Sequence, residues 1–163
     1  MAEDDESFVL KLGFLRSTEM TALSAKQLLE QHFVRPNAIE SGRLRGNALV
    51  ACLGKKENSF SVYQTLLGVP QLYYAEINGG FVCSDRLKCI VQLLDRVDFN
   101  EDIVPMHFLF RSTPGDLTYY RQIRRLLPGE FLHYSEGKIT RKIVHNFRFS
   151  NELPIYHLLR RTK

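Results

Sequence analysis

The chain has 163 residues, 44% of them hydrophobic and 25% charged, with a net charge of +4. That length buries one sizeable core and is short for two ordinary domains. No stretch approaches the roughly 20 apolar residues that cross a bilayer, and the acidic start MAEDDESF lacks the basic, then apolar, pattern of a secretory signal, so a cytoplasmic protein without a membrane span is expected.

In chain order, residues 1–6 read as an acidic tail and residues 7–15 as a first strand. Residues 24–33 carry a capping Ser24 and apolar Leu28, Leu29 and Phe33, the pattern of a helix, which Arg35-Pro36-Asn37 ends. Residues 47–53, 59–67 and 71–77 are rich in strand formers and separated by the turns GKKEN and GVP, which predicts an antiparallel meander. Asn78-Gly79-Gly80 tolerates positive φ and should close residues 71–77 and 81–83 into a hairpin. Ser84 or Asp85 then caps a helix whose Leu87, Ile90, Val91 and Leu94 fall at i, i+3, i+4 and i+7.

Residues 101–112, EDIVPMHFLFRS, are dense in apolar side chains and predict a buried helix after Pro105. A turn at Thr113-Pro114-Gly115 leads to a short helix or extended turn at 119–126, and Pro128-Gly129 is a strong stop. Residues 130–134 and 139–147 form a last hairpin around Ser135-Glu136-Gly137, and residues 150–163 are a basic tail.

Chemistry-bearing groups are sparse. Cys52, Cys83 and Cys89 are an odd number without metal-ligand grouping, and the five histidines are scattered, so neither a disulfide framework nor a metal site is expected. Cys83 precedes a helix start, where a thiol pKa can fall, yet strand alternation places it with Phe81, which favours packing. The basic residues gather in the last third, in RQIRRLL, RKIVHNFRF and HLLRRTK. A polyanion or acidic carrier could bind Arg121, Arg124, Arg125, Arg141, Arg148, Arg160 and Arg161, but no nucleic-acid motif accompanies them.

GVPQLYYAEINGGFVCSDRLKCIVQLL, followed by DLTYYRQIRRLLPGEFLHYSEGKITRK, resembles the glutaminase-like domain of asparagine synthetases and of the β-lactam synthetases and lasso-peptide cyclases related to them. Gly68, Pro70, Leu72, Tyr73, Tyr74, Phe81, Ser84, Asp85, Lys88, Leu126, Leu127, Pro128, Gly129 and Gly137 follow the family's order. The likeness runs over roughly residues 46–141. It implies an α+β fold of antiparallel sheets with packed helices, a reduced N-terminal-nucleophile-type sandwich, as a single domain over residues 7–149. Enzymes of that family use an N-terminal cysteine as nucleophile, and no cysteine occurs in residues 1–50. The segments that hold glutamine and the Ser-Gly-Gly-x-Asp-Ser loop that cradles ATP are missing too, so no cofactor and no glutaminase activity are expected.

Three function classes follow. The first is a non-catalytic binding or accessory module of an ATP-dependent, asparagine-synthetase-like system that forms amides or rings. The second is an N-terminal piece of a longer synthetase, and the third is polyanion binding. Tyr119 and Tyr120 directly precede Arg121, Arg124 and Arg125, which share one face if residues 119–126 are helical. Tyr and Arg are the residues that carry binding energy between proteins. This face is the expected contact with a protein partner or a second copy.

Overall fold

The computed structural model of the protein describes residues 1–17, 21–30, 44–67 and 69–144. Sheet A is antiparallel and six-stranded, with β1 (Ala2–Glu3), β2 (Ser7–Ser17), β3 (Leu44–Gly54), β4 (Ser59–Gln64), β8 (Glu130–Ser135) and β9 (Lys138–Ile143) side by side in that order. Its longest ladder runs from Ser7 opposite Gly54 to Ser17 opposite Leu44. Sheet B is small, with β5 (Tyr73–Ile77) between β6 (Gly80–Ser84) and β7 (Arg124–Arg125). The fold is mixed α+β and built on antiparallel sheets.

Side-chain alternation sorts the core into three layers. On one face of sheet A, Val9, Leu15, Val50, Tyr63 and Phe131 meet Leu28 of α1 (Ala25–Glu30). On its other face, Leu49, Ala51, Val62 and Leu132 meet Leu72, Tyr74 and Leu126 from sheet B and its flanks. Ala75, on the far side of β5, packs with Ile123 and with Ile90 of α2 (Leu87–Val91). The order is therefore helix, sheet, sheet, helix. Each of these fully buried aliphatic side chains contributes about 1.5–3 kcal/mol of burial.

Local chemistry explains the element ends. The Gln27 amide N donates to Ser24 Oγ and the Ser24 amide N donates to Gln27 Oε1, a reciprocal cap that starts α1. The predicted end of that helix, at residues 31–37, lies outside the described residues. Ile77 opposes Gly80 across Asn78 and Gly79, both at positive φ, and Ser135 opposes Lys138 across Glu136 and Gly137 in the same way. Both are two-residue turns that match the strand twist.

Several expectations need correction. Residues 47–53, 59–67 and 71–77 do not form a three-strand meander: β4 pairs with β8, and β5 leaves for sheet B. β4 ends at Gln64, short of the expected residue 67, and the buried Gln64 donates from Nε2 to Pro70 O. The helix expected after Ser84 is a single turn, capped by neither Ser84 nor Asp85; Ser84 Oγ accepts from the Arg86 amide just before it. Ile90 is buried, while Leu87, Val91 and Leu94 are half-buried. Residues 119–126 are not helical, because Arg124–Arg125 pair with Tyr73 and Tyr74 as β7. Residues 1–6 enter sheet A through Ala2–Glu3, and residues 150–163 lie outside the described residues.

Candidate functional site

α3 (Ile103–Phe110) is the helix expected from residues 101–112, but it is not buried. Ile103 is fully buried and Val104 and His107 are half-buried, which fixes one side of the helix. Met106, Phe108, Leu109 and Phe110 stand in solvent, Phe108 at 80% and Leu109 at 74% exposure. Leu93, Val97 and Phe99, on the approach to the helix, are exposed as well. Four large apolar side chains exposed on one short helix mark a contact site more often than a scattered leucine does. Pro105 sits in the first turn, where its missing N–H costs nothing, and Arg111 ends the helix in the left-handed region with its N–H on His107 O.

Tyr119 and Arg121 adjoin this helix, whereas Tyr120 between them packs against the core of Ala75, Ile90 and Ile123. The Asn100 amide donates to Tyr119 O and the Arg121 amide to Asp98 O, so residues 98–100 and 119–121 are stitched together, with Phe99 opposite Tyr120. Thr118 supports the corner from within: its Oγ1 lies 2.9 Å from Ile123 O and accepts from the Tyr120 amide. Tyr119 Oη lies 2.8 Å from His107 Nδ1, and the two rings meet edge to face. Arg121 reaches Asp102 at 3.5 Å across the helix start, an exposed pair that contributes little stability.

Arg124 and Arg125 belong elsewhere. Adjacent in a strand, they point to opposite faces, so the expected shared face of three arginines does not form. Arg125 donates to the carbonyls of Gly115 and Thr113, and Arg124 pairs with Asp116 at 3.8 Å. Arg141 also serves Asp116, at 2.7 Å, and donates to Tyr74 Oη at 2.9 Å. It thereby ties β9 of sheet A to β5 of sheet B. The four described arginines of the proposed polyanion set are thus each engaged with a carboxylate or a carbonyl; Arg148, Arg160 and Arg161 lie outside the described residues.

Neither Cys52 nor Cys83 shows activation. Burial pushes the Cys83 thiol up to about 11 and raises Cys52 as well, against a hydrogen bond with Ser7. A protonated thiol is a poor nucleophile. Among the described residues, no group of three metal-binding side chains forms and no helix is long and apolar enough to cross a membrane.

The exposed apolar face of α3 escaped sequence reading because its density of Phe, Leu and Met is that of a core helix. A clue was present: Phe108, Leu109 and Phe110 are consecutive, and three consecutive helical positions cannot all face one core. A scan against protein-family models and a search of curated proteins both find no match for this chain.

Proposed function

We propose that the protein is a non-catalytic, glutaminase-like domain that acts as a binding or accessory module of an asparagine-synthetase-like system, one that forms amides or rings at the expense of ATP. The resemblance over residues 46–141 supports the family, and the helix, sheet, sheet, helix order suits a reduced sandwich of the N-terminal-nucleophile type. The observation that carries the docking role is the exposed apolar surface of α3, joined to Tyr119 and Arg121 by the His107 and Asp102 contacts. Aromatic and aliphatic anchors at the centre with an arginine at the rim is the composition of a protein interface. The raised Cys83 pKa and the lack of a cysteine in residues 1–50 favour binding over catalysis.

The test is affinity capture from the native source with the wild-type chain and with a Phe108→Ser/Leu109→Ser variant. An ATP-dependent amide-forming enzyme that co-elutes with the first and is lost with the second is the expected result. Equal recovery with both, or no such enzyme with either, overturns the reading.

A further inference from the structure

Sheet B is narrower than the sheet it covers. Arg141 of β9 donates to Tyr74 of β5, while the Phe81 ring of β6 lies 5.2 Å from Tyr134 of β8 and 5.3 Å from Phe60 of β4. β5 therefore lies toward β9 and β6 over β8 and β4, and sheet A runs on past β6 through β3 and β2. The register sets Leu10 opposite Ala51, Leu12 opposite Leu49 and Phe14 opposite Asn47. Leu10, Ala51 and Leu49 pack toward sheet B, so by alternation Leu12, Phe14 and Leu53 face the same way. These three are nevertheless exposed, Phe14 at 57%. The overhang of sheet A thus presents an apolar strip beside β6.

Among the described residues the two sheets end in four edge strands. β1 and β7 have two residues each, and β9 carries Lys138, Arg141 and Lys142; short length and basic side chains both keep an edge from pairing. β6 has five residues and neither charge nor proline. Counted from the two-residue turn, Ala75 with Val82 and Tyr73 with Ser84 exchange the ladder hydrogen bonds, so the N–H and C=O of Phe81 and Cys83 point away from β5. One added strand would meet both this open edge and the apolar strip. At its far end the strip reaches Arg45, which is exposed, alternates with Asn47 and Leu49 onto the same face, and stands opposite Arg16. Two arginines side by side favour an acidic residue on whatever lies over them.

We propose that sheet B accepts a strand from a partner protein: an extended segment, antiparallel to β6, with apolar residues at alternate positions against Leu12, Phe14 and Leu53 and an acidic residue over Arg45. A second copy does not fit through its own β6, because antiparallel pairing puts both sheets A on one side, where the β2 and β3 overhangs of the two copies collide. No residue of this surface belongs to α3, so the proposal stands or falls separately from the docking role of that helix.

The probe is the peptide acetyl-Glu-Thr-Val-Thr-Val-Thr-Val-Thr-Glu-amide, whose valines and glutamates share one face and whose sequence reads the same in both directions. Titrated into the full chain and followed by calorimetry, it is expected to saturate with Kd on the order of 100 µM or below. Directly opposite residues share a face, so the valine N–H groups meet β6 and the threonine N–H groups point to the open side. N-methylation of the valines should weaken binding at least about tenfold, and N-methylation of the threonines should leave it within about twofold. Lysine in place of both glutamates should weaken binding about threefold, a preference that should reverse in Arg45→Glu. Phe14→Ser, at an exposed position, should weaken the parent peptide about fivefold, and Leu53→Ser does the same duty if Phe14→Ser does not fold. Phe108→Ser/Leu109→Ser should leave peptide binding unchanged. No saturation by about 1 mM, equal effects of the two methylation patterns, unchanged binding to Phe14→Ser and Leu53→Ser, or loss of binding in the α3 variant overturns the proposal. So does a dimer of the chain that the peptide disperses, which would assign the edge to a second copy.

Discussion

Tyr119 Oη and His107 Nδ1, 2.8 Å apart, join the corner at residues 118–121 to the middle of α3. Ile103 is buried at the start of the same helix, while its Phe108 and Phe110 stand in solvent. Tyr119→Phe should cost about 1 kcal/mol of stability. The loss should be local: amides of residues 106–111 should exchange with deuterium faster while those of sheet A keep their protection. Uniform acceleration, or none, would show that the bond does not hold the helix.

Gly13 and Gly46 flank the Phe14–Asn47 pair of the β2–β3 ladder from opposite strands. Gly13 has φ +85°, and a Cβ there would stand 2.2 Å from Asn47 O; Gly46 has φ +140°, and a Cβ there would stand 2.3 Å from Phe14 O. Backbone cannot yield to such a clash cheaply, and both angles disfavour any side chain. Gly13→Ala and Gly46→Ala should each cost roughly 2 kcal/mol or more, read as a drop in the urea midpoint. Near-wild-type midpoints would refute the close approach.

α2 offers a graded test of the layer order. Ile90 is 1% exposed between Ala75 and Ile123, whereas Leu94 is half-buried beyond the end of the helix. Ile90→Ala should cost about 2–5 kcal/mol and Leu94→Ala clearly less, about 1 kcal/mol. Equal costs would place Leu94 in the core, where the i+7 spacing had put it.

That contrast shows which parts of the fold could be read from sequence. Hairpins at Asn78-Gly79 and Glu136-Gly137 were legible because the turn chemistry is local, and Ser24 with Gln27 marks a helix start within four residues. The partner of β4 was not legible. The ladder from Phe60 opposite Tyr134 to Tyr63 opposite Phe131 joins segments about 70 residues apart, and nothing in Ser59–Gln64 names β8 as its neighbour. Nor could sequence distinguish a short strand from a helical turn at Arg124–Arg125, since two residues carry no period. Tyr119, Tyr120, Arg121, Arg124 and Arg125 were expected on one surface of a helix over residues 119–126, and the helix that Tyr119 and Arg121 do touch was assigned to the core.

Asp116 and Glu130 should respond to pH with opposite signs. Burial works to raise the Asp116 pKa, but the Arg141 hydrogen bond and the charges of Arg124 and Arg141 win and hold it below the ordinary value. Its stabilisation is present above the unfolded pKa of about 4 and is lost as pH falls through the lower folded value. Burial raises the Glu130 pKa, against the Leu127 N–H and the Arg141 charge. The folded state then holds that proton more tightly than the unfolded one, so stability declines as pH rises from about 4.3 through the folded value. Relative to wild type, Glu130→Gln should therefore gain stability as pH rises above about 4.3, and Asp116→Asn should be less stable above about pH 4, with that deficit shrinking as pH falls further. Urea titrations across that range decide the matter, and parallel curves for wild type and either variant would contradict the assignment.

The arginines expected to act together should separate on mutation. Arg121 is exposed and meets the exposed Asp102, so Arg121→Glu should leave stability within about 0.5 kcal/mol while placing a negative charge on the rim of the α3 surface. Arg125 is half-buried and donates to Gly115 O at 2.6 Å and to Thr113 O, and Arg124 faces the carboxylate of Asp116. A glutamate at 125 would bring an acceptor toward two carbonyls, and one at 124 would oppose Asp116, so the pair of changes should cost about 2–4 kcal/mol together. Association through α3 should fall about fivefold or more in Arg121→Glu at low salt, with the difference shrinking as ionic strength rises. A triple Arg121, Arg124, Arg125 change cannot separate docking from folding, whereas the single change at 121 can. Thermal melts of the single and the double variants come first: if Arg124→Glu/Arg125→Glu melts like wild type, the two side chains do not anchor the loop at 113–116, and the shared basic face returns to contention.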